Sequence, residues 1–310
     1  MFRYNLIIKF IALFVIGGVL PISYAQASIV TSVKPLGFIT AAIADGVTTT
    51  EILLPDGASP HSYALKPSDL VKLKSADLVI WIGDDMETFL PSLLRNIDDE
   101  KQLSLANNPK IMPLLREGHD DDHDEDGDEH DHHHDHSHGH ELDMHIWLSP
   151  KIAAVSAQII HDKLVQIYPD KSALLDKNLA MFIEQLKETQ QIIAKKLNSV
   201  QNSGYFVFHD GYGYFENEFN LNNLGSLTIN PAIQPGIKKV YEIQTELNEK
   251  KAVCVFREPQ FSPAIIDKII KGTDVKVGEL DPLGMGIDLS KDAYSHFLLN
   301  ITQQFLNCLA

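Results

Sequence analysis

Fourteen histidines are spread through this chain of 310 residues, and they fall into two unlike groups. Nine lie between Glu117 and Glu141: His119, His123, His130, His132, His133, His134, His136, His138 and His140. From His119 to His140 they are interleaved with ten Asp or Glu and with no Lys or Arg. Neutral imidazoles suit borderline metal ions such as Zn²⁺, and the carboxylates add attractive charge. No apolar residue interrupts the tract, so it has nothing to bury and is expected to be a disordered His/Asp-rich loop over 117–141. Many imidazoles on a tether raise the metal concentration near a tighter site. The tract therefore reads as an auxiliary zinc collector. The plainer alternative is a solubilising insert that binds metal incidentally.

The other five histidines are His61, His145, His161, His209 and His296. His61 follows an apolar run, Glu51–Leu54, and the turn Asp56-Gly57-Ala58-Ser59-Pro60. His209 follows the run Tyr205–Phe208 and precedes Asp210-Gly211, while His145 precedes Ile146-Trp147-Leu148. In open parallel sheets, ligands bind beyond the carboxyl ends of the strands, and His61 and His209 fall at such ends. Three imidazoles converging there would make an N-rich site for Zn²⁺, with metal–nitrogen distances of about 2.0–2.1 Å. A fourth position would be left for water or a carboxylate. His161 and His296 lie on expected helices and take a structural role. Trp147 is expected to pack. Glu258 and Arg257 either face the cleft or pair with each other, and Asp210 and Glu216 are candidates to orient an imidazole.

The elements that would position these residues are those of an α/β chain with parallel sheets. Short apolar runs at Ser28–Val33, Glu51–Leu54 and Leu78–Ile82 alternate with helical segments opening at Pro35-Leu36-Gly37 and Ser68. Such runs suit strands buried on both faces. Ser149-Pro150 has the cap and first-turn residues of a helix start. From Lys171 to Val200, Leu175, Leu179, Phe182, Leu186, Ile193 and Leu197 form one stripe at helical spacing. A helix of that length is a rod of about 40 Å, stiff enough to connect two units. The alternation then resumes. Strands are expected at Tyr205–Phe208, Ala252–Phe256 and Val275–Leu280, and helices at Pro235–Lys250, Pro263–Lys271 and Ala293–Asn307. The two halves share a style but no close sequence repeat.

The first 27 residues resemble a secretory leader. Arg3 and Lys9 precede or flank an apolar stretch from Phe10 to Leu20, and Ala25-Gln26-Ala27 is a small-x-small cleavage site. No other stretch is apolar enough to span a bilayer, so no membrane insertion is expected after cleavage. The formal net charge of −16 argues against nucleic acid as a partner, which requires clustered cations, and is compatible with metal ions. The two cysteines, Cys254 and Cys308, suit a disulfide in an oxidising compartment or, alternatively, two buried thiols.

Seven stretches carry a family resemblance: GASPHSYALKPSD (57–69), DLVIWIG (77–83), MHIWLSP (144–150), GYFVFHDGYGYFE (204–216), NPAIQPG (230–236), CVFREPQFSP (254–263) and LDPLG (280–284). In these, and in the His/Asp-rich insertion before MHIWLSP, the chain resembles the cluster A-I metal-binding solute-binding proteins. Within them it is similar to the periplasmic zinc-binding components of bacterial high-affinity zinc ABC importers. The resemblance implies a monomer that binds Zn²⁺ in the periplasm through His61, His145 and His209 and hands it to an inner-membrane ABC permease with its ATPase. It implies no enzymatic activity. It also implies a Cys254–Cys308 disulfide and two Rossmann-like α/β lobes, 28–168 and 202–310, joined by a long rigid helix within 169–201, with metal in the cleft between them.

One departure concerns the fourth ligand. Several relatives carry Glu before the first ligand histidine, where this chain has Pro60. Water, Asp281 (manganese-binding relatives use an Asp there) or a loop histidine then fills that position. Manganese-binding relatives also carry Glu in place of His209, and imidazole for carboxylate moves preference toward Zn²⁺. The alternatives are a manganese- or iron-binding protein of the same fold, a metal buffer without a permease, and a zinc hydrolase. The last would lack any HExxH or GxSxG motif.

Overall fold

The computed structural model describes residues 28–118, 142–228, 231, 236–249 and 251–310. The expected leader, the nine histidines of the acidic tract and most of NPAIQPG lie outside the described residues. Strands β1 (Ser28–Thr31), β2 (Thr49–Ile52), β3 (Leu78–Trp81) and β4 (Gln102–Ser104) form one parallel sheet in the order β2-β1-β3-β4. β3 is buried along its whole length and β1 nearly so, which is why both are continuous apolar runs. Helices α1 (Lys34–Ile43), α2 (Pro67–Ser75) and α3 (Pro91–Leu94) connect them. α1 and α2 each carry Pro in the first turn, where its missing N–H costs nothing.

α4 (Pro150–Ile167) starts at Ser149, whose hydroxyl accepts from the Ile152 amide at 3.1 Å, as the Ser-Pro pair predicts. α5 (Ser172–Leu197) is the expected long connector; its 26 residues span about 39 Å. Leu175, Phe182, Leu186, Ile193 and Leu197 are buried along it, and Leu179 is half-buried.

The second sheet has β5 (Tyr205–His209), β6 (Asn223–Thr228), β7 (Cys254–Arg257) and β8 (Lys276–Glu279), parallel, in the order β6-β5-β7-β8. This is the strand order of the first sheet repeated. The halves are thus topologically equivalent, although no repeat is visible in the residues. β4 and β6 were not anticipated from the sequence. Both are outer strands and mostly half-buried, and β6 contains Gly225 at φ +153° beside a register shift against β5. α6 (Gly213–Phe219), α7 (Ile237–Glu249), α8 (Ala264–Ile269) and α9 (Ala293–Leu309) complete the chain.

α9 joins the two halves a second time. Its Phe297 packs on Phe38 of α1, and Ser295 meets Thr189 of α5 at 3.0 Å. At its far end Cys308 is disulfide-bonded to Cys254 of β7, with Cα atoms 6.0 Å apart. Closing a loop of that length removes chain entropy from the unfolded state and stabilises by about 4 kcal/mol. One apolar core runs through both halves by way of α5 and α9. A smaller one, including Phe206, Phe208, Leu227 and Val255, lies beneath α7 and α8. Among the described residues, no helix is long and apolar enough to cross a membrane.

Candidate metal centre

In the second sheet the chain runs from β5 to β6 on one side and returns to β7 on the other. The carboxyl ends of β5 and β7 therefore flank a topological switch point, where open α/β sheets form binding crevices. His209 is the last residue of β5 and Glu258 immediately follows β7, so the two face each other there. Glu258 Oε1 lies 2.6 Å from His209 Nδ1, with both side chains buried. His61 comes from the loop after β2. Gly57, at φ +80°, turns that loop toward the second half.

His145 stands before a single 3₁₀ turn, Ile146–Leu148, that leads into α4. Asp143 Oδ1 accepts from the His145 amide at 2.9 Å and lies 2.8 Å from its Nδ1. Arg116 Nη1 donates to the other Asp143 oxygen at 2.9 Å. Trp147 Nε1 donates to the Pro282 carbonyl at 2.8 Å, and Tyr294 Oη donates to the Trp147 carbonyl at 2.7 Å. These two bonds tie the 3₁₀ turn to the second half of the chain.

The three rings meet through their Nε2 atoms. His145 Nε2 is 3.2 Å from His61 Nε2 and 3.0 Å from His209 Nε2. All three donor atoms lie within 4.8 Å of one another, the one such metal-ligand group among the described residues. Three nitrogens at tetrahedral angles around one Zn²⁺ are separated by about 3.3 Å. The carboxylates on Nδ1 of His145 and His209 select the tautomer that keeps Nε2 free as a lone-pair donor.

The protonation tendencies of the three ligands differ. Burial, with His145 and His209 alongside, pushes the His61 imidazole down to about 2, so it is neutral and ready to ligate. Burial pulls His209 down as well, but the Glu258 charge and hydrogen bond outweigh it and hold His209 above 6.5. For Asp143 the upward push of burial loses to its bonds with His145 and to the Arg116 charge, so it stays below the ordinary carboxylate value.

The histidines line a cavity of about 10 Å³, with Pro60, Trp147 and Gln260 among its other walls. That volume suits about one water molecule. A cleft of about 630 Å³ adjoins it through the shared residues Ser59, Gln260 and Phe261 and forms the approach from outside. Gly211 backs the site: a Cβ there would stand 2.6 Å from His209 Nε2 and 3.1 Å from His145 Nε2.

The remaining predicted residues are placed differently. Asp281 is not in the histidine group. Its oxygens accept from Gln260 Nε2 and from the Leu283 and Met285 amides, which fixes the turn before α9. Glu258 faces the cleft rather than pairing with Arg257, which binds Glu279 at 3.1 Å. Glu216 orients no imidazole; it bonds Tyr205 Oη and Asn223 Nδ2, and burial pushes it up to about 7. Asp210 adds raising charge near His209. His161 bridges Asp162 and Asp176 between α4 and α5, and His296 is exposed on α9. The sequence reading missed Asp143 and Arg116. The signal was local: an Asp two residues ahead of a candidate ligand, and the last cation before the acidic tract.

A family profile described as "ZnuA: Zinc-uptake complex component A periplasmic" matches residues 29–308. The chain is 52% identical over 296 residues to the high-affinity zinc uptake system protein ZnuA of Yersinia pestis, covering 93% of each chain. It is 50% identical over 291 residues to the protein of the same description from Haemophilus ducreyi, covering 92% of this chain and 94% of that one. Among solved structures, a crystal structure of ZnuA superposes with a TM-score of 0.75 at 25% identity, covering 92% of this chain and 100% of the other. The periplasmic zinc-binding protein TroA of Treponema pallidum has the same fold, with a TM-score of 0.76 at 19% identity over 92% of this chain and 99% of its own. With the profile spanning both halves and curated relatives at about half identity, the chain belongs to the ZnuA family of periplasmic zinc-uptake components.

Proposed function

We propose that this protein captures Zn²⁺ in the periplasm through Nε2 of His61, His145 and His209, with a water as fourth ligand, and delivers it to an inner-membrane ABC permease powered by its ATPase. The observation that carries this is the convergence of the three imidazoles, with His145 Nε2 3.2 Å from His61 Nε2 and 3.0 Å from His209 Nε2, while two of the Nδ1 atoms are held by buried carboxylates. Among the described residues the site is nitrogen-rich and has no carboxylate ligand, which favours Zn²⁺ over Mn²⁺. By affinity alone Cu²⁺ would bind more tightly still, so what the compartment supplies completes the selection.

Binding rather than catalysis is the role this site supports. Hydrolysis needs a general base within reach of the metal-bound water, and the nearby carboxylates are committed. Asp143 and Glu258 hold imidazoles, and Asp281 holds backbone. In the same reading residues 1–27 are a leader removed on export, lobes 28–168 and 202–310 are joined through 169–201, the mature protein acts as a monomer, and the tract 119–140 collects zinc for the cleft.

The test is growth under zinc limitation of cells whose chromosomal copy carries His145→Ala. Growth failing only at low zinc, and restored by added zinc, is the expected result. Unimpaired growth at every zinc level contradicts the proposal. Deleting 119–140 in the same assay should narrow the range of zinc over which growth is full, without abolishing uptake.

A further inference from the structure

Gln260 follows Glu258 and Pro259 after β7 and forms part of the wall of the small cavity lined by the three histidines. Its amide nitrogen donates to Asp281 Oδ1 at 2.8 Å. The Asp281 carboxylate is itself fixed by the Leu283 and Met285 amides, so the Gln260 amide cannot be reversed without setting its oxygen against a carboxylate oxygen. Gln260 Oε1 is consequently left as a buried acceptor with no donor. Buried acceptors of this kind are rare and costly, and they call for a water or a ligand group.

The donor set of the site is also incomplete. Three imidazoles fill three positions of a tetrahedral ion, Pro60 has no side-chain donor, and Asp281 is occupied elsewhere. The cavity of about 10 Å³ admits about one water. A metal-bound water is a strong hydrogen-bond donor because the ion draws charge from it. We infer that Gln260 is the positioning residue for the fourth ligand: its Oε1 accepts a hydrogen bond from the zinc-bound water, and Asp281 acts through it by fixing the amide. This rests on the three-histidine site and deepens it by assigning the position that Pro60 leaves open.

The test compares the full-length mature protein with Gln260→Met, which keeps length and bulk but loses the acceptor. A second variant, Gln260→Glu, shares a proton with Asp281 and still offers an oxygen. Each is loaded with one equivalent of Co²⁺ for visible absorption and, separately, with Zn²⁺ for release to a chelator. The thermal midpoint of each metal-free protein reports folding.

The expected result for Gln260→Met is zinc release about tenfold faster and altered cobalt bands, with the metal-free midpoint retained. Gln260→Glu should stay within about threefold of the parent. Loss of one good hydrogen bond to a charged group is of this order. Parent-like release and absorption in Gln260→Met overturn the assignment. So do losses in both variants that only follow a lowered metal-free midpoint, because Gln260 would then serve the Asp281 turn alone. A parent protein without four-coordinate cobalt bands would overturn the three-histidine site itself.

Discussion

Glu258 Oε1 lies 2.6 Å from Nδ1 of His209, across the ends of two neighbouring strands, and both side chains are almost completely buried. A carboxylate there gives the imidazole its orientation and its basicity. It also favours a proton on His209 when metal is absent, holding it above 6.5.

Glu258→Gln keeps the shape and a hydrogen-bonding group but removes the charge. Zinc affinity should fall by about tenfold to a hundredfold, the usual effect of losing such a partner. Competitive titration against a chelator of known affinity measures it. An unchanged affinity would mean that Glu258 only fills space.

Gly211 has a steric role. Because a Cβ would stand 2.6 Å from His209 Nε2, Gly211→Ala must push the ring off its position. Zinc affinity should drop by more than tenfold while the circular dichroism of the metal-free protein is retained. Equal affinity in the two proteins would show that the rings have room to spare.

Protons act on zinc binding and on stability in separable ways. Glu258 raises the hold of His209 on its proton, so zinc binding there releases a proton and apparent affinity should fall as pH drops through that raised value. Calorimetric titrations in buffers of different ionisation enthalpy count the protons released. For stability, Glu216 is pushed from 4.5 to about 7 by burial. A raised folded-state value means stability that is fully present below pH 4.5 and lost as pH rises through about 7. In Glu216→Gln, where the Tyr205 hydroxyl can turn to accept, denaturant unfolding should show a weaker decline between pH 4.5 and about 7. An identical decline would assign it to other groups.

The legible parts of this protein are those fixed by local chemistry. The inner strands β1, β3 and β5 are continuous apolar runs because both of their faces are covered, and α5 shows its stripe because only one face is. His209 stood out by following such a run, and His61 by following the short run at the end of the outer strand β2. β4 and β6 did not, since half-buried outer strands carry weak patterns, and in β6 Gly225 breaks the alternation. Contacts made only after folding were hidden for another reason. Arg116 reaches Asp143 because the chain returns after the acidic tract, with Glu117 bridged to Leu142. Gln260 meets the metal cavity only because β7 lies beside β5. The equivalence of the halves likewise resides in strand order, which many sequences satisfy.

The measurement that bears most directly on the account is a competitive Zn²⁺ titration of the mature protein lacking residues 119–140, beside the same protein carrying His61→Ala. The bridge between Glu117 and Leu142 holds the ends of that tract together, so a short turn can close the gap. The account predicts one tight site per chain in the shortened protein and its loss in His61→Ala. A shortened protein without a tight site, or one indifferent to His61→Ala, would make the acidic histidine tract the binder and contradict the three-histidine centre.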